Sequence, residues 1–210
     1  MIPLIFRLKK ESHRIIAKGQ DLIVETLYEV FDKAVLHGGT GIWRCYGGNR
    51  FSEDVDVYIN RDLEKLSHLF RLLEKKGFVI EKKKIGQNSL YSSLKFRNKI
   101  VRFEALFKKS SGILKDYEKV DGNFITVYSL SAYEFINEKI ETYLKRLKIR
   151  DLYDIFFLLR HVKDDSVKSN LKRLINSFKE PVDEADLRVL ILEGIIPNKN
   201  KMLEYIQDRI

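Results

Sequence analysis

Between about Glu11 and Lys33, apolar residues recur at helical spacing (Ile15, Ile16, Leu22, Ile23, Leu27, Val30, Phe31), which predicts a long amphipathic helix. Ala34 to His37 then reads as a short buried strand running into Gly38-Gly39. Thr40 opens a short helix through about Tyr46, and Gly47-Gly48-Asn49 breaks it. From Asp54 to Ile59 the alternation is strict, with Val55, Val57 and Ile59 on one side and Asp54, Asp56 and Tyr58 on the other. Leu63 to Lys76 returns to the helical period, and Gly77 ends it. Three strands follow, over 78–85, 89–97 and 100–107, with turns at Gly86-Gln87-Asn88 and Asn98-Lys99. A last short strand, 124–128, leads to Ser131 with Glu134 three residues on, the pattern of a capping box. The remainder reads as helix, with breaks near Lys148, Asp164, Pro181 and Pro197. Strands mixed with helices, then helices alone, predict an α+β fold in two parts: a mixed module over 1–128 and a helical module over 129–210.

Composition narrows the class. The 13 Phe and 10 Tyr do not belong to a disordered chain, and the single Cys45 has no partner for a disulfide, which suits a reducing, cytoplasmic setting. The most apolar stretch, Ile155 to Leu159, is far shorter than the roughly 20 residues that span a bilayer, and the apolar N-terminus is too short for a signal segment. No membrane association is expected. Four scattered histidines (His13, His37, His68, His161) give no zinc spacing, so a catalytic metal falls to carboxylates and is Mg²⁺ or Mn²⁺.

Charge matters once it is located. The formal net charge is +9, from 39 Lys plus Arg against 30 Asp plus Glu. Residues 75–109 contain eleven Lys/Arg and two acids, Glu81 and Glu104, so 11 − 2 = +9 places the whole excess in one stretch. Such a stretch either faces a polyanion or forms a solvated pair of strands whose lysines discourage edge pairing.

The chemistry-bearing segment is His37-Gly38-Gly39-Thr40, followed by Asn49 to Val57. Asp54 and Asp56, two apart on a strand, share one face and can share a hard cation. A glycine pair between a strand and a helix leaves backbone N–H groups open to a phosphate. The strand near 99–107 carries Arg102 and Glu104 on one face. Glu104 becomes a third carboxylate if that strand lies beside the Asp-Val-Asp strand, or else pairs with a neighbouring lysine. Arg50 and Ser52 share the parity of Asp54 and reach phosphate if the strand extends back to them. Asp151 and Asp154, one helical turn apart, either serve a site or cap their helix and pair with Arg150 or Lys148. Trp43 and Tyr46 read as packing groups, and His37 as a histidine satisfied near the site.

Gly-Gly-Thr (38–40), Arg-Phe-Ser-Glu-Asp-Val-Asp (50–56), Glu138-Lys139 and Arg-Asp-Leu-Tyr-Asp (150–154) occur in that order. Together they resemble the AbiEii/AbiGii-type nucleotidyltransferase toxin family, to which the MenT toxins are related, over about 35–159. The resemblance implies a DNA polymerase β-like nucleotidyltransferase fold with a mixed sheet carrying the acids. It implies that Gly38, Gly39, Thr40 and Ser52 frame an NTP triphosphate, and that Asp54 and Asp56 bind Mg²⁺ (or Mn²⁺), with Glu104 as the acid of the neighbouring strand. It further implies that Lys139 meets the nucleotide phosphates. Arg50, Arg150 and Asp154 join the nucleotide-binding set, and Asp151 joins the catalytic one. Glu104 departs from the family pattern, which has Asp there.

The expected activity is transfer of a nucleoside monophosphate from an NTP to an acceptor hydroxyl, with release of pyrophosphate. The basic stretch favours RNA, in particular a tRNA 3′ end, as acceptor, and the toxin resemblance implies a cognate antitoxin partner. The alternatives are a protein or small-molecule hydroxyl as acceptor, and a catalytically silent nucleotide-binding relative.

Overall fold

A computed structural model describes residues 3–163 and 165–210, and it divides the chain into two compact units. Met1, Ile2 and the break expected at Asp164 lie outside the described residues. One unit runs to Gly47 and resumes over Phe51–Leu130; the other comprises Gly48–Arg50 and Ser131–Ile210. The sequence pattern gave no hint that Gly48–Arg50 belongs with the helices. Backbone pairing explains it: Arg50 bridges Ile191, the Leu192 N–H donates to the Asn49 carbonyl at 2.9 Å, and the Asn49 amide donates to the Glu193 carbonyl.

The first unit contains α1 (Leu4–Arg7), α2 (Glu11–Val30), β1 (Val35–His37), α3 (Gly38–Cys45), β2 (Asp54–Ile59) and α4 (Leu63–Lys75). Five strands follow: β3 (Phe78–Ile85), β4 (Ser89–Phe96), β5 (Lys99–Phe107), β6 (Ile113–Glu118) and β7 (Phe124–Ser129). They form one seven-stranded mixed sheet in the order β3-β4-β5-β2-β1-β7-β6. β2 runs parallel to β5 and antiparallel to β1, so the Asp-Val-Asp strand sits at the centre, flanked by the strand that bears Glu104.

The alternation read along β2 separates the two faces of the sheet. Val55 and Val57 are fully buried, as are Val101, Phe103 and Leu94 on the same face of β5 and β4. Helices α2 and α4 cover that face, with Phe70 of α4 edge-on to Phe103 at 6.5 Å between ring centroids. Each such side chain contributes roughly 1.5–3 kcal/mol by leaving water. The opposite face carries the acids. Helix α4 starts on the Asp62 carboxylate, which accepts from the Lys65 N–H, and stops at Gly77 with φ +91°.

Two elements were not anticipated. α1 is a single turn. β6 is an edge strand paired only with β7, and its Ile113 and Leu114 are exposed, so it lacks the alternation that burial imposes on central strands.

The second unit is helical: α5 (Ala132–Arg146), α6 (Ile149–Leu158), α7 (Lys168–Asn176), α8 (Leu187–Leu190) and α9 (Lys199–Gln207). The capping box at Ser131 forms as its spacing predicts: the Ser131 N–H donates to the Glu134 carboxylate at 2.8 Å, and the Glu134 N–H donates back to the Ser131 hydroxyl. Leu147 (φ 54°) turns left-handed to end α5, so the break at Lys148 falls between α5 and α6. Pro181 and Pro197 fall in the connections before α8 and α9. Ile140, Tyr143, Leu152, Ile155, Leu171 and Met202 form this unit's core.

Candidate active site

The first unit brings the predicted acids together on one face. In the β2–β5 register Asp56 lies opposite Glu104 and Asp54 opposite Arg102; on the other flank Asp56 lies opposite His37 of β1. Directly paired residues point the same way, so these side chains share the face left open by the helices. His37 stacks on Tyr58 with ring centroids 3.9 Å apart. Trp43 and Tyr46 are buried as packing groups: Trp43 edge-on to Phe51, and Tyr46 donating its hydroxyl to the Leu130 carbonyl.

Gly38 must be glycine for two reasons. Its φ is +67°, and a Cβ there would stand 2.1 Å from Oδ2 of Asp56. The Asp56 carboxylate is therefore seated directly against the glycine turn that opens α3, which puts the proposed phosphate and metal elements side by side. α3 starts at Gly38 itself, two residues before Thr40, where the sequence pattern placed it.

Arg102 donates to the Asp54 carboxylate at 2.5 Å and stands 3.9 Å from Glu53. Burial and the nearby Asp54 charge push the Glu104 carboxyl above its ordinary range, with Arg102 opposing. No lysine pairs with Glu104 among the described residues. Asp54 and Glu104 thus lie close enough on one face to feel each other's charge, with Arg102 between them. Among the described residues no three His, Cys, Asp or Glu side chains converge as a metal cage. Two carboxylates suffice for Mg²⁺, which commonly takes one or two from protein and the rest from substrate phosphates and water. The all-oxygen donor pair Asp54 and Asp56 fits that role.

β2 begins at Asp54, so parity along the strand does not extend to Arg50 and Ser52. Ser52 is buried. Its carbonyl accepts from the Gln20 amide at 2.8 Å, while the Thr40 hydroxyl donates to the Asp54 carbonyl. Arg50 belongs to the other unit, where it forms a two-pronged pair with Asp154 at 2.9 and 2.8 Å.

That pair is part of a buried network in the second unit. Lys139 of α5 stands 2.7 Å from Asp154 and 3.4 Å from Asp151; Arg146 donates twice to Asp151 at 2.7 and 2.8 Å. Asp151 and Asp154 are essentially inaccessible and Lys139 nearly so. Neither aspartate simply caps α6 or pairs with Arg150 or Lys148, and Lys139 is no solvated lysine. Three cations face two carboxylates. Burial opposes ionisation of Asp154, yet the charges of Arg50 and Lys139 outweigh it and hold the carboxyl at about 2. Arg150 stands outside these pairs and lines a cleft of about 390 Å³ with Lys148, Asp183 and Asp186.

Arg146, Gln20 and the Asp21–Arg44 pair were not singled out from the sequence. A signal for Gln20 existed: it occupies a core position in the stripe Ile16, Ile23, Val24, Leu27 of α2.

The family described as nucleotidyl transferase AbiEii toxin, Type IV toxin–antitoxin system, matches residues 22–199. The chain belongs to this family. It is accordingly a nucleotidyltransferase. No curated protein matches it in sequence. Among solved structures, JHP933 from Helicobacter pylori is 18% identical, covers 95% of this chain and 90% of its own, and superposes with a TM-score of 0.68. MenT4, a nucleotidyltransferase toxin from Mycobacterium tuberculosis H37Rv, is 16% identical with a TM-score of 0.64, over 94% of this chain and 82% of its own. The antibiotic-resistance factor ANT(2'')-Ia is 12% identical with a TM-score of 0.50, over 77% and 92%. At these identities the likeness concerns the fold, and it agrees with the polymerase β-like nucleotidyltransferase architecture that the AbiEii motifs imply. No described helix is long and apolar enough to cross a membrane.

Proposed function

We propose that this AbiEii-family chain transfers a nucleoside monophosphate from an NTP to the 3′ hydroxyl of an RNA, with tRNA the favoured acceptor, in a Mg²⁺-dependent reaction. The observation that carries the reading is the seating of Asp56 against Gly38, with Asp54 beside it on β2 and Glu104 in register on β5. Asp54 and Asp56 would hold the metal, and the turn at Gly38-Gly39 with Thr40 and Ser52 would frame the triphosphate. When bound, the metal supplies neutralisation of the phosphate charge and a lower pKa for the acceptor hydroxyl. The acceptor oxygen bonds to the α-phosphorus, the bond from that phosphorus to the bridging oxygen breaks, pyrophosphate leaves, and the hydroxyl proton passes to solvent. Arg102, now paired with Asp54, is a cation in place to meet developing phosphate charge.

Lys139, Asp151 and Asp154 are assigned to the reaction on the family motif alone, in which the helical lysine is the residue that meets the nucleotide phosphates. Arg50 is assigned to holding Asp154 rather than to phosphate, since its guanidinium is buried and committed to that carboxylate. Arg150 remains in the nucleotide-binding set on the motif alone. The acceptor assignment rests on charge: Lys82 and Lys84 pair across β3–β4 with Ser93 and Tyr91, which pair in turn with Arg102 and Glu104, so basic side chains share the acidic face. A cognate antitoxin and a cytoplasmic location are inferred from the toxin family and the lone Cys45.

The test is incubation with labelled NTPs, Mg²⁺ and total tRNA. Label should enter RNA, and Asp56→Ala should abolish it. Label found instead in protein after RNase treatment overturns the RNA assignment, and label transfer unchanged in Asp56→Ala overturns the metal assignment.

A further inference from the structure

Helix α2 buries a polar pair in the middle of its apolar stripe. Gln20 is completely inaccessible and Asp21 nearly so. Burying an amide and a carboxylate side by side is unfavourable unless both are hydrogen-bonded, so their partners indicate what they are for. The Gln20 Nε2 donates to the Ser52 carbonyl at 2.8 Å and to the Thr40 hydroxyl at 3.4 Å, and the Thr40 hydroxyl donates in turn to the Asp54 carbonyl. Asp21 accepts from Arg44, from the Tyr117 hydroxyl at 3.2 Å and from the Val120 N–H at 2.8 Å. Thr40 and Arg44 lie one turn apart on α3. Consecutive residues of α2 therefore hold α3 at both ends, and the Gln20 half of the brace continues into the residues that open β2.

We propose that Gln20 is a positioning residue for nucleotidyl transfer, fixing the spacing between the Gly38-Gly39 turn and the Asp54–Asp56 strand through its bonds to Ser52 and Thr40. This rests on the reading of those two elements as phosphate- and metal-binding. Gln20 touches no substrate. Its side chain suits the task because one amide nitrogen offers two protons to two acceptors on different segments, while among the described residues its Oε1 has no hydrogen-bond partner and competes for neither. Methionine fills the same space and donates nothing; an ionised glutamate offers no proton. The spacing matters because Asp56 already abuts Gly38: a small shift of α3 against β2 separates the two groups that must act on one triphosphate.

The experiment compares wild type with Gln20→Met, Thr40→Val and the double variant. It measures thermal unfolding, binding of the four Mg²⁺–NTPs singly by calorimetry, and steady-state transfer to RNA. Gln20→Met should fold with little change in melting temperature and weaken Mg²⁺–NTP binding several-fold. It should lower kcat by roughly 10- to 100-fold while leaving KM for the RNA within about twofold, since misplacement by about 1 Å can cost ~100-fold. The double variant should be no worse than the poorer single variant, because both act on one chain of bonds. Thr40→Ser, which keeps the hydroxyl, should recover most of the rate.

A folded Gln20→Met protein with wild-type kcat and wild-type nucleotide affinity overturns the inference, as does full additivity of the two losses. If Gln20→Met fails to fold, Thr40→Val decides alone, and wild-type kcat there overturns it. A wild-type protein that neither binds any Mg²⁺–NTP nor transfers label overturns the underlying reading, and the inference with it.

Discussion

Asp154 illustrates how a residue proposed for the site can also be a folding device. It is fully buried, receives two bonds from Arg50 and one cation from Lys139, and is held at about 2 instead of the usual 3.8. A carboxyl whose folded-state pKa lies below its unfolded one stabilises the fold above about pH 4, and that contribution is lost as pH falls toward 2. The difference corresponds to about 2 kcal/mol. Asp154→Asn should remove that pH dependence. It should also destabilise the protein at neutral pH by about 3–5 kcal/mol, because it leaves Arg50 buried without its anion. Urea unfolding of both proteins from pH 7 to pH 2 checks both statements; identical slopes of stability against pH below 4 would show that the pair is not the titrating group. Neutral-pH loss of stability must be separated from loss of activity, so activity of Asp154→Asn is informative only below its unfolding midpoint.

At the level of elements, the glycine turn and β2 are seated against each other, and the proposed function makes them one unit. Gly38→Ala would place a methyl within 2.1 Å of the Asp56 carboxylate on a backbone with φ +67°, so either the turn or the strand must move. The expected outcome is a loss of about 1–3 kcal/mol in stability from the strained φ, and at least a tenfold fall in nucleotide affinity. Thermal unfolding and calorimetry with Mg²⁺–NTP check it, and wild-type affinity in a folded Gly38→Ala protein would separate the turn from the nucleotide site. Much of this was legible beforehand. The alternation over 54–59 marks β2 because its two faces meet different surroundings, and Ser131 with Glu134 marks α5 because a cap is a local device. What was not legible depends on distant chain segments. β6 has one neighbour and exposed apolar residues, so no burial period is written into it. Arg50 has the parity of Asp54 but leaves the strand to bridge Ile191, and nothing within four residues of it signals that partner. Gln20 sits in an apolar stripe as an exception whose meaning lies 20 and 32 residues away, at Thr40 and Ser52.

On the scale of the whole molecule, the excess of +9 resolves into faces. The basic stretch 75–109 is not uniformly aimed at the acidic face: Lys83 lies over the Phe70 ring at 4.8 Å on the helix-covered side, and Lys76 pairs with Glu29. Lys82, Lys84 and Lys95 have the register that puts them with Ser93, Tyr91 and Ile100 on the side of Arg102 and Glu104. Their positive charge flanks carboxylates that a polyanion would otherwise avoid, and Tyr91, Ile100 and Leu106 leave apolar surface exposed among them. Phosphate contacts made by lysine are insensitive to sequence and release counterions. Replacing Lys82, Lys84 and Lys95 together by Gln should therefore weaken RNA binding about equally for all RNA sequences. It should also reduce the slope of log affinity against log salt by roughly 2, at about 0.7 per phosphate on a single strand. Nucleotide affinity, which the proposed function assigns to Asp54, Asp56 and the glycine turn, should stay within about twofold of wild type. Filter binding of RNA over a salt series, with calorimetry for the nucleotide, separates the two effects. An unchanged salt slope would remove these lysines from the acceptor surface and leave their role as solvated strands that resist edge pairing.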